Sequence, residues 1–311
     1  MVPSEDALGA IPLGFLTVTD AIRTPDELLE GLPEFPFEAS YRNWEGLRLA
    51  HLDEGEGPPV VFFHGEPTWS FLWRKVIPPV RDAGFRCVAP DLPGFGRSDK
   101  PVELSWYSYD RHTASMAAML EELDVRGATA VVHDWGGIIG LRLAVEHPDR
   151  IAQMVILDTG LFTGHQKMSE AWMAFRAFVE RTEDPPVGLL VRRACKHDPG
   201  DEVIAAYDAP FPNGDSKAGA RAFPLLIPLS PEAPGAAAGR RTSEALRGDR
   251  RPKLVLWASD DPVLPLETGR RFASALGSEV HHVIADAGHF LQEDAGPQIG
   301  QLIADWLTAG D

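Results

Sequence analysis

The chain has 311 residues, 44% of them hydrophobic and 24% charged, a composition typical of a globular protein with a large buried core. Its 46 acidic residues outnumber 29 lysines and arginines, and the net charge of −17 argues against nucleic acids or anionic membranes as partners. Two cysteines cannot build a disulfide framework, and they fit free thiols in a reducing cytoplasm.

The first apolar stretch, residues 7–16, follows Glu5 and Asp6 instead of basic residues, which argues against an export signal. From about residue 38, short apolar runs alternate with helical patterns, and none of the runs is long enough to span a membrane. The predicted strands are residues 47–52, 60–63, 87–89, 130–132, 154–157, 254–257 and 280–284, and the clearest predicted helices are 109–123 and 138–147. This alternation predicts an α/β fold with a mostly parallel sheet covered by helices on both faces.

The alternation stops between residues 160 and 230, where helical and loop patterns replace the strands. An insertion between two strands of a parallel sheet emerges at their carboxyl ends, where such sheets bind ligands. We therefore predict an α/β core from residues 1–159 and 231–311, and a helical cap from residues 160–230. The Ala-, Gly- and Pro-rich residues 231–239 are interpreted as the linker that returns to the core.

The segment between the strand at 128–132 and the following helix reads His-Asp-Trp-Gly-Gly at residues 133–137. A strand–turn–helix of this kind places Asp134 on a tight turn at the carboxyl edge of the sheet, and glycines permit such a turn. A carboxylate is ionised at neutral pH, so Asp134 can displace a leaving group from carbon and form an ester. The alternative is that Asp134 only caps the helix.

Hydrolysis of such an ester requires a base and an acid that orients it. His289 follows the last predicted strand within Asp-Ala-Gly-His-Phe, and we predict that it is the base. Asp261, after strand 254–257 and four residues before a proline, is the predicted acid, and the order nucleophile, acid, histidine matches α/β-hydrolases. Asp158, at the end of strand 154–157, is a rival for the same role. No metal-ligand spacing such as His-Glu-x-x-His occurs, so no metal is expected.

Two tryptophans and a glutamate complete the predicted site. The backbone N–H groups of Trp135 and Glu66 are the expected oxyanion donors, and a buried Glu66 beside Asp134 is expected to be partly protonated. The indole N–H groups of Trp135 and Trp172 could together hold a weakly hydrated anion such as chloride, bromide or iodide. Packing between cap and core is the alternative explanation for Trp172.

From residue 23 to the C terminus the sequence resembles the haloalkane dehalogenases of the α/β-hydrolase superfamily, and only about the first twenty residues look additional. His-Gly-Glu-Pro-Thr-Trp at residues 64–69 and Ala-Tyr-Asp-Ala-Pro-Phe-Pro at 206–212 are fairly specific to that family. The motifs at residues 91–101 (Asp-Leu-Pro-Gly-Phe-Gly-Arg-Ser-Asp-Lys-Pro) and 133–137 are shared more widely.

The resemblance implies a cofactor-free enzyme that converts a haloalkane to an alcohol, a halide ion and a proton through an alkyl ester on Asp134. The chain is similar to the subfamily that has Glu after His-Gly and a second halide-binding tryptophan in the cap. In that subfamily the catalytic acid stands at the position of Asp261. Asp158 departs from that pattern. The implied partners are a small halogenated substrate, halide and water, with neither nucleic acid nor membrane, for a cytoplasmic monomer or small homo-oligomer.

Two other functions remain as alternatives. Soluble epoxide hydrolases share His-Asp-Trp-Gly-Gly but require two cap tyrosines, whereas only Tyr207 of the four tyrosines falls within residues 160–230. A hydrolase-like fold that only binds a ligand is the second alternative. A serine esterase is disfavoured because Gly-x-Ser-x-Gly does not occur.

Overall fold

The computed structural model describes residues 20–309, so the apolar stretch at residues 7–16 and the expectation about export lie outside the described residues. The strands are β1 (Ala21–Ile22), β2 (Ser40–Trp44), β3 (Leu47–Glu54), β4 (Pro59–Phe63), β5 (Arg86–Pro90), β6 (Lys100–Pro101), β7 (Ala128–His133), β8 (Ile151–Leu157), β9 (Lys253–Ala258) and β10 (His282–Ile284). The α-helices are α1 (Ile77–Asp82), α2 (Tyr109–Glu122), α3 (Trp135–Glu146), α4 (Glu170–Arg181), α5 (Val187–Ala194), α6 (Asp201–Asp208), α7 (Ala218–Leu226), α8 (Ala236–Arg247), α9 (Leu266–Ala275) and α10 (Leu291–Ala309), the last interrupted at Ala295.

The main sheet contains eight strands in the order β10-β9-β8-β7-β4-β5-β3-β2. Strands β5, β4, β7, β8, β9 and β10 run parallel, while β3 is antiparallel to both of its neighbours. Helix α3 packs against α2 and α8, and α1 packs against α10. The predicted α/β-hydrolase fold, a mostly parallel sheet covered by helices, is confirmed.

The central elements are buried on all sides, which explains their sequence patterns. All six residues of β7 are buried, as expected for an inner strand of a parallel sheet. Helix α3 is buried from Trp135 through Ala144, so it has no polar face and continues the apolar pattern of the strand. Among residues 20–309 no helix combines the length and apolarity needed to cross a membrane.

The structure differs from the sequence predictions at edges and connections. The antiparallel strand β2 was not predicted, because Ser-Tyr-Arg-Asn-Trp is polar and only Arg42 is buried at this sheet edge. The last strand was predicted too long, since β10 begins at His282 instead of residue 280. Helix α8 begins inside the predicted return linker, where an alanine run favours helix. Helices α4 to α7 lie between β8 and β9, and the division into core and cap stays a prediction.

A buried ion pair links this helical insertion to the core. The Arg74 guanidinium donates two hydrogen bonds, of 2.5 and 2.8 Å, to the Glu293 carboxylate, and both side chains are almost completely buried. Tyr207 in α6 donates its hydroxyl to the same carboxylate. The Arg74 guanidinium carbon also lies 3.9 Å from the centre of the Phe71 ring. Each charge is therefore paired, and each depends on its partner.

We expect a substitution in this network to destabilise the protein more when it leaves a buried charge unpaired. Glu293→Leu strands the buried Arg74 cation and should lower the free energy of unfolding by roughly 3–5 kcal/mol. Tyr207→Phe removes one hydrogen bond to a charged group and should cost about 1.5–3 kcal/mol. Urea unfolding measures both losses, provided that the free energy of unfolding depends equally steeply on urea concentration in each protein. A greater loss of unfolding free energy in Tyr207→Phe than in Glu293→Leu would contradict the ranking.

Candidate active site

Five acidic or basic side chains follow five neighbouring strands of the sheet. These strands are parallel, so their carboxyl ends meet at one edge. The side chains, each just beyond its strand or in the loop that follows, are Glu66 after β4, Asp134 after β7, Asp158 after β8, Asp261 after β9 and His289 after β10. Every predicted catalytic residue therefore lies at the same edge of the sheet.

Asp134 lies on a strained turn between β7 and α3. Its φ of 49° falls in the left-handed region that non-glycine residues avoid. The turn can pass close to β4 because Gly65 and Gly136 lack side chains: a Cβ at Gly65 would collide with the Asp134 carboxylate, and one at Gly136 with the Phe63 carbonyl. The Asp134 side chain makes no capping hydrogen bond to α3, and it is 19% exposed. The turn thus presents the carboxylate instead of using it as a helix cap.

The two carboxylate oxygens of Asp134 have different surroundings. Oδ1 accepts the backbone N–H of Glu66 at 2.9 Å. Oδ2 lies 3.6 Å from Nε2 of His289. Burial alone would raise the pKa of Asp134, but the neighbouring His289 outweighs it and lowers that pKa. An ionised carboxylate held in this way can attack carbon through Oδ2.

His289 bridges two carboxylates. Its Nδ1 lies 2.8 Å from Oδ2 of Asp261, and Oδ1 of Asp261 accepts the backbone N–H groups of Val263 at 2.6 Å and Leu264 at 2.9 Å. Burial alone would lower the pKa of His289, but Asp261 and Asp134 raise it well above its ordinary value. Burial likewise opposes ionisation of Asp261, yet His289 and the two N–H donors lower the pKa of that carboxyl. The two carboxylates therefore favour the protonated form of the ring.

The rival acid, Asp158, is placed differently. Its side chain is fully buried, and its two oxygens share the backbone N–H of Ala258 at 3.2 and 3.3 Å. Burial, together with the charge of Asp261, raises the pKa of Asp158 well above its ordinary value. Asp260, the neighbour of Asp261, binds the Lys196 ammonium at 3.0 Å. Of these three aspartates, only Asp261 is hydrogen-bonded to the His289 ring.

The side chain of Glu66 is buried beside Asp134. Its Oε1 atom has no hydrogen-bond partner among residues 20–309. Burial, reinforced by the charge of Asp134, raises the pKa of Glu66 well above its ordinary value. This direction agrees with the expected partial protonation, and it is the backbone N–H of Glu66 that is hydrogen-bonded to Asp134.

A neutral amide should therefore replace this carboxyl with little loss. We expect Glu66→Gln to change kcat/KM for a bromoalkane by less than about fivefold, or about 1 kcal/mol in activation free energy. The backbone donor to Asp134 is unchanged in the variant. Steady-state bromide release at pH 7 tests this, with thermal unfolding as the control for folding. A loss of two orders of magnitude would assign the carboxyl itself a part in the reaction.

Among residues 20–309, the rings of the two predicted halide-binding residues, Trp135 and Trp172, are not in contact with each other. Trp135, at the start of α3, is buried, and its ring packs against Phe223 of α7 with centroids 4.7 Å apart. Trp172 is half-buried in the first turn of α4 and packs against the hydrophobic core. Phe223 was missed in the sequence, where its apolar run indicates only a helix.

The sequence analysis also missed a role for His133. Its Nε2 lies 2.8 Å from the backbone carbonyl oxygen of His289, and the two rings are stacked at an angle with centroids 4.8 Å apart. Burial lowers the pKa of His133 to about 3, so the ring is neutral and donates its N–H to that carbonyl. The signal was present, because His133 precedes Asp134 in the shared motif. Within residues 20–309, no group of three or more His, Cys, Asp or Glu side chains is arranged to hold a metal ion.

Known proteins resemble this chain in sequence and in fold. Residues 58–296 match a family model described as the alpha/beta hydrolase fold. A haloalkane dehalogenase of Mycolicibacterium paratuberculosis is 42% identical over 93% of this chain and 98% of its own length. One from Psychrobacter cryohalolentis is 38% identical over 92% of this chain and 97% of its own. The tetrameric haloalkane dehalogenase DpaA from Paraglaciecola agarilytica superimposes with a TM-score of 0.86 at 35% identity, covering 91% of this chain and 97% of that one.

Proposed function

The chain belongs to the haloalkane dehalogenases, hydrolases of the α/β-hydrolase fold that act on carbon–halogen bonds, and on that premise we propose a role for each side chain of the site. Asp134 is the nucleophile, and the reaction passes through a covalent alkyl ester. One observation carries this proposal: the backbone N–H of Glu66 holds Oδ1 of the Asp134 carboxylate on a strained turn, and its second oxygen faces His289.

In the first step, Oδ2 of Asp134 attacks the carbon that bears the halogen. A C–O bond forms as the carbon–halogen bond breaks, and the halide leaves with the bonding electron pair. The indole N–H groups of Trp135 and Trp172 donate to the departing ion, because they are donors without acceptor character. The buried position of Trp135 next to the nucleophile supports its part, and the location of Trp172 on α4, in the predicted cap, supports the second.

In the second step, His289 takes a proton from water, which attacks the ester carbonyl. Ester formation removes the negative charge of Asp134, one of the two charges that raise the pKa of His289, so the ring can release its proton and act as a base. Asp261 keeps the ring oriented. The backbone N–H groups of Glu66 and Trp135 stabilise the oxyanion on Oδ1. Collapse breaks the bond from Cγ to the alkyl-bearing oxygen, which takes a proton from His289 and leaves as the alcohol. The proton on the new Asp134 carboxyl returns to His289, so the proton that the ring first released to solvent is the net product.

The tyrosines argue against epoxide opening at this site. The only tyrosine of residues 160–230, Tyr207, donates its hydroxyl to the buried Glu293 carboxylate. Tyr107 and Tyr109 donate theirs to the backbone carbonyls of Pro101 and Ile138. These three tyrosines therefore do not provide the two free hydroxyls that would protonate an epoxide oxygen.

The direct test is halide release with 1-bromobutane and 1,2-dibromoethane, run beside styrene oxide and p-nitrophenyl acetate. We expect the wild-type protein to release bromide with a matching fall in pH, and Asp134→Ala to release none above the blank. Diol formed from styrene oxide without bromide release would mean that the indoles of Trp135 and Trp172 do not bind a halide ion. Bromide release retained by Asp134→Ala would assign the nucleophile elsewhere.

The remaining assignments follow from the same premise. We propose residues 160–230 as a cap, because α4 to α7 leave the sheet after β8 and Phe223 packs on Trp135. A small homo-oligomer is proposed from the tetrameric form of DpaA. A cytoplasmic location is proposed because both cysteines are free thiols.

A further inference from the structure

The carboxylate of Asp294, near the start of α10, collects three backbone N–H groups. Its Oδ2 accepts from Gly288 and from Lys196, each at 2.9 Å, and its Oδ1 accepts from His197 at 2.9 Å. Gly288 belongs to the loop that carries His289, whereas residues 196 and 197 follow α5 in the helical insertion. One charged side chain thus joins the base loop to the proposed cap.

The same two segments also touch directly. The backbone N–H of His289 donates to the carbonyl of Ala194 at 2.8 Å. A Cβ at Gly288 would collide with that carbonyl and would lie 2.8 Å from the backbone nitrogen of Lys196, so only glycine allows the approach. We call residues 194–197 together with Gly288, His289 and Asp294 the clasp.

The side chains of two clasp residues form ion pairs that add little to the connection. The Lys196 ammonium binds Asp260 at 3.0 Å, and Nε2 of His197 lies 2.9 Å from Asp286. All four side chains are exposed to solvent by more than a third, and exposed pairs contribute little to stability. Hydrogen bonds to an ionised acceptor are stronger than those between neutral groups. The Asp294 carboxylate is therefore the main connection between the two segments.

We propose that Asp294 is a positioning residue for His289, which fixes the base against the cap so that Nε2 stays directed at the alkyl ester. The inference rests on the proposed role of His289 as the base. Replacement of Asp294 by alanine leaves three N–H groups without their acceptor and releases the loop on one side of His289. A misplacement of about 1 Å in a reacting group can slow its step by roughly 10- to 100-fold.

The effect should fall on one step only. Alkylation requires the Asp134 carboxylate and the halide donors, none of which is hydrogen-bonded to Asp294, whereas ester hydrolysis requires the ring of His289. An Asp294 variant should therefore accumulate alkyl-enzyme during turnover. A residue that served stability alone would lower both rates together, or lower only the unfolding temperature.

The test is rapid quenching of wild type, Asp294→Ala and Asp294→Asn with 1-bromobutane, followed by intact-protein mass spectrometry. We expect Asp294→Ala to slow ester hydrolysis roughly 10- to 100-fold with unchanged alkylation. Asp294→Asn, which keeps one acceptor oxygen, should lie between the alanine variant and the wild type. Asp286→Asn is the matched control: an exposed carboxylate of the same loop is lost, its positive φ suits asparagine, and both steps should match the wild type.

Three outcomes would overturn the proposal: equal loss of both steps in the Asp294 variants, unchanged hydrolysis in both variants, or an equal defect in Asp286→Asn. If Asp294→Ala is too unstable to purify, Asp294→Asn alone tests the proposal. Its fraction of alkylated enzyme during turnover should then exceed that of the wild type. Absence of any alkyl adduct on wild type and on His289→Phe would instead contradict the proposed mechanism, which separates that failure from failure of the clasp.

Discussion

Replacement of His289 by phenylalanine is expected to stop turnover with the alkyl group still bound to Asp134. Alkylation uses Oδ2 of Asp134 while the backbone N–H of Glu66 holds Oδ1, so the first step remains possible. Hydrolysis loses its base, and general base catalysis contributes roughly 10²- to 10⁴-fold. After incubation with 1-bromobutane, intact-mass analysis should show one butyl group in place of one proton.

The control is the double variant Asp134→Ala/His289→Phe, which should carry no adduct. Since loss of the imidazolium removes the group that lowers the pKa of Asp134, the labelling is best run at pH 8, where the carboxyl stays ionised. Normal turnover by His289→Phe would refute its role as the base. An adduct on the double variant would show that another residue is alkylated.

The second large effect separates the two candidate acids. Asp261→Asn should lower kcat by roughly 10³- to 10⁴-fold, because the amide presents a donor to Nδ1 and favours the wrong tautomer of His289. Asp158→Asn should retain activity within about fivefold, since a neutral amide replaces a carboxyl whose pKa is raised well above its ordinary value.

Both variants change one buried carboxyl to an amide of the same shape, so each is the control for the other. Steady-state bromide release gives the two kcat values, and thermal unfolding gives the loss of stability for each protein. The reverse order of activities would move the orienting role to Asp158. Comparable losses in both would mean that the two carboxyls act as one unit on His289.

The sequence predicted the site better than the surroundings of the site. Asp134, Asp261 and His289 could be found because each follows an apolar strand, and parallel strands bring their carboxyl ends together. The edge strand β2 could not be found from the sequence, because its polar, mostly exposed residues do not show the apolar pattern of a buried strand. Buried helices such as α3 extend the apolar run of the preceding strand, which is why the helix was predicted to begin at residue 138 instead of Trp135.

Contacts made through the backbone were out of reach of sequence reasoning. The clasp binds Asp294 to the N–H groups of Lys196 and His197, and every residue except proline carries such a group. The link between Tyr207 and Glu293 was hidden for another reason, since 86 residues separate two side chains that each belong to an unremarkable local pattern. The rings of Phe223 in α7 and Trp135 in α3 meet although the two residues lie far apart in the sequence.

The unequal surroundings of the two Asp134 oxygens determine which atom leaves in the product. Oδ1 stays hydrogen-bonded to the backbone N–H of Glu66, so under the proposed mechanism only the oxygen opposite His289 is exchanged. In water enriched in oxygen-18, the alcohol of the first cycle carries the original oxygen of the protein, while the heavy isotope enters Asp134. From the second cycle onward, each alcohol leaves with an oxygen atom that arrived as water one cycle earlier, and Oδ1 keeps its original isotope throughout.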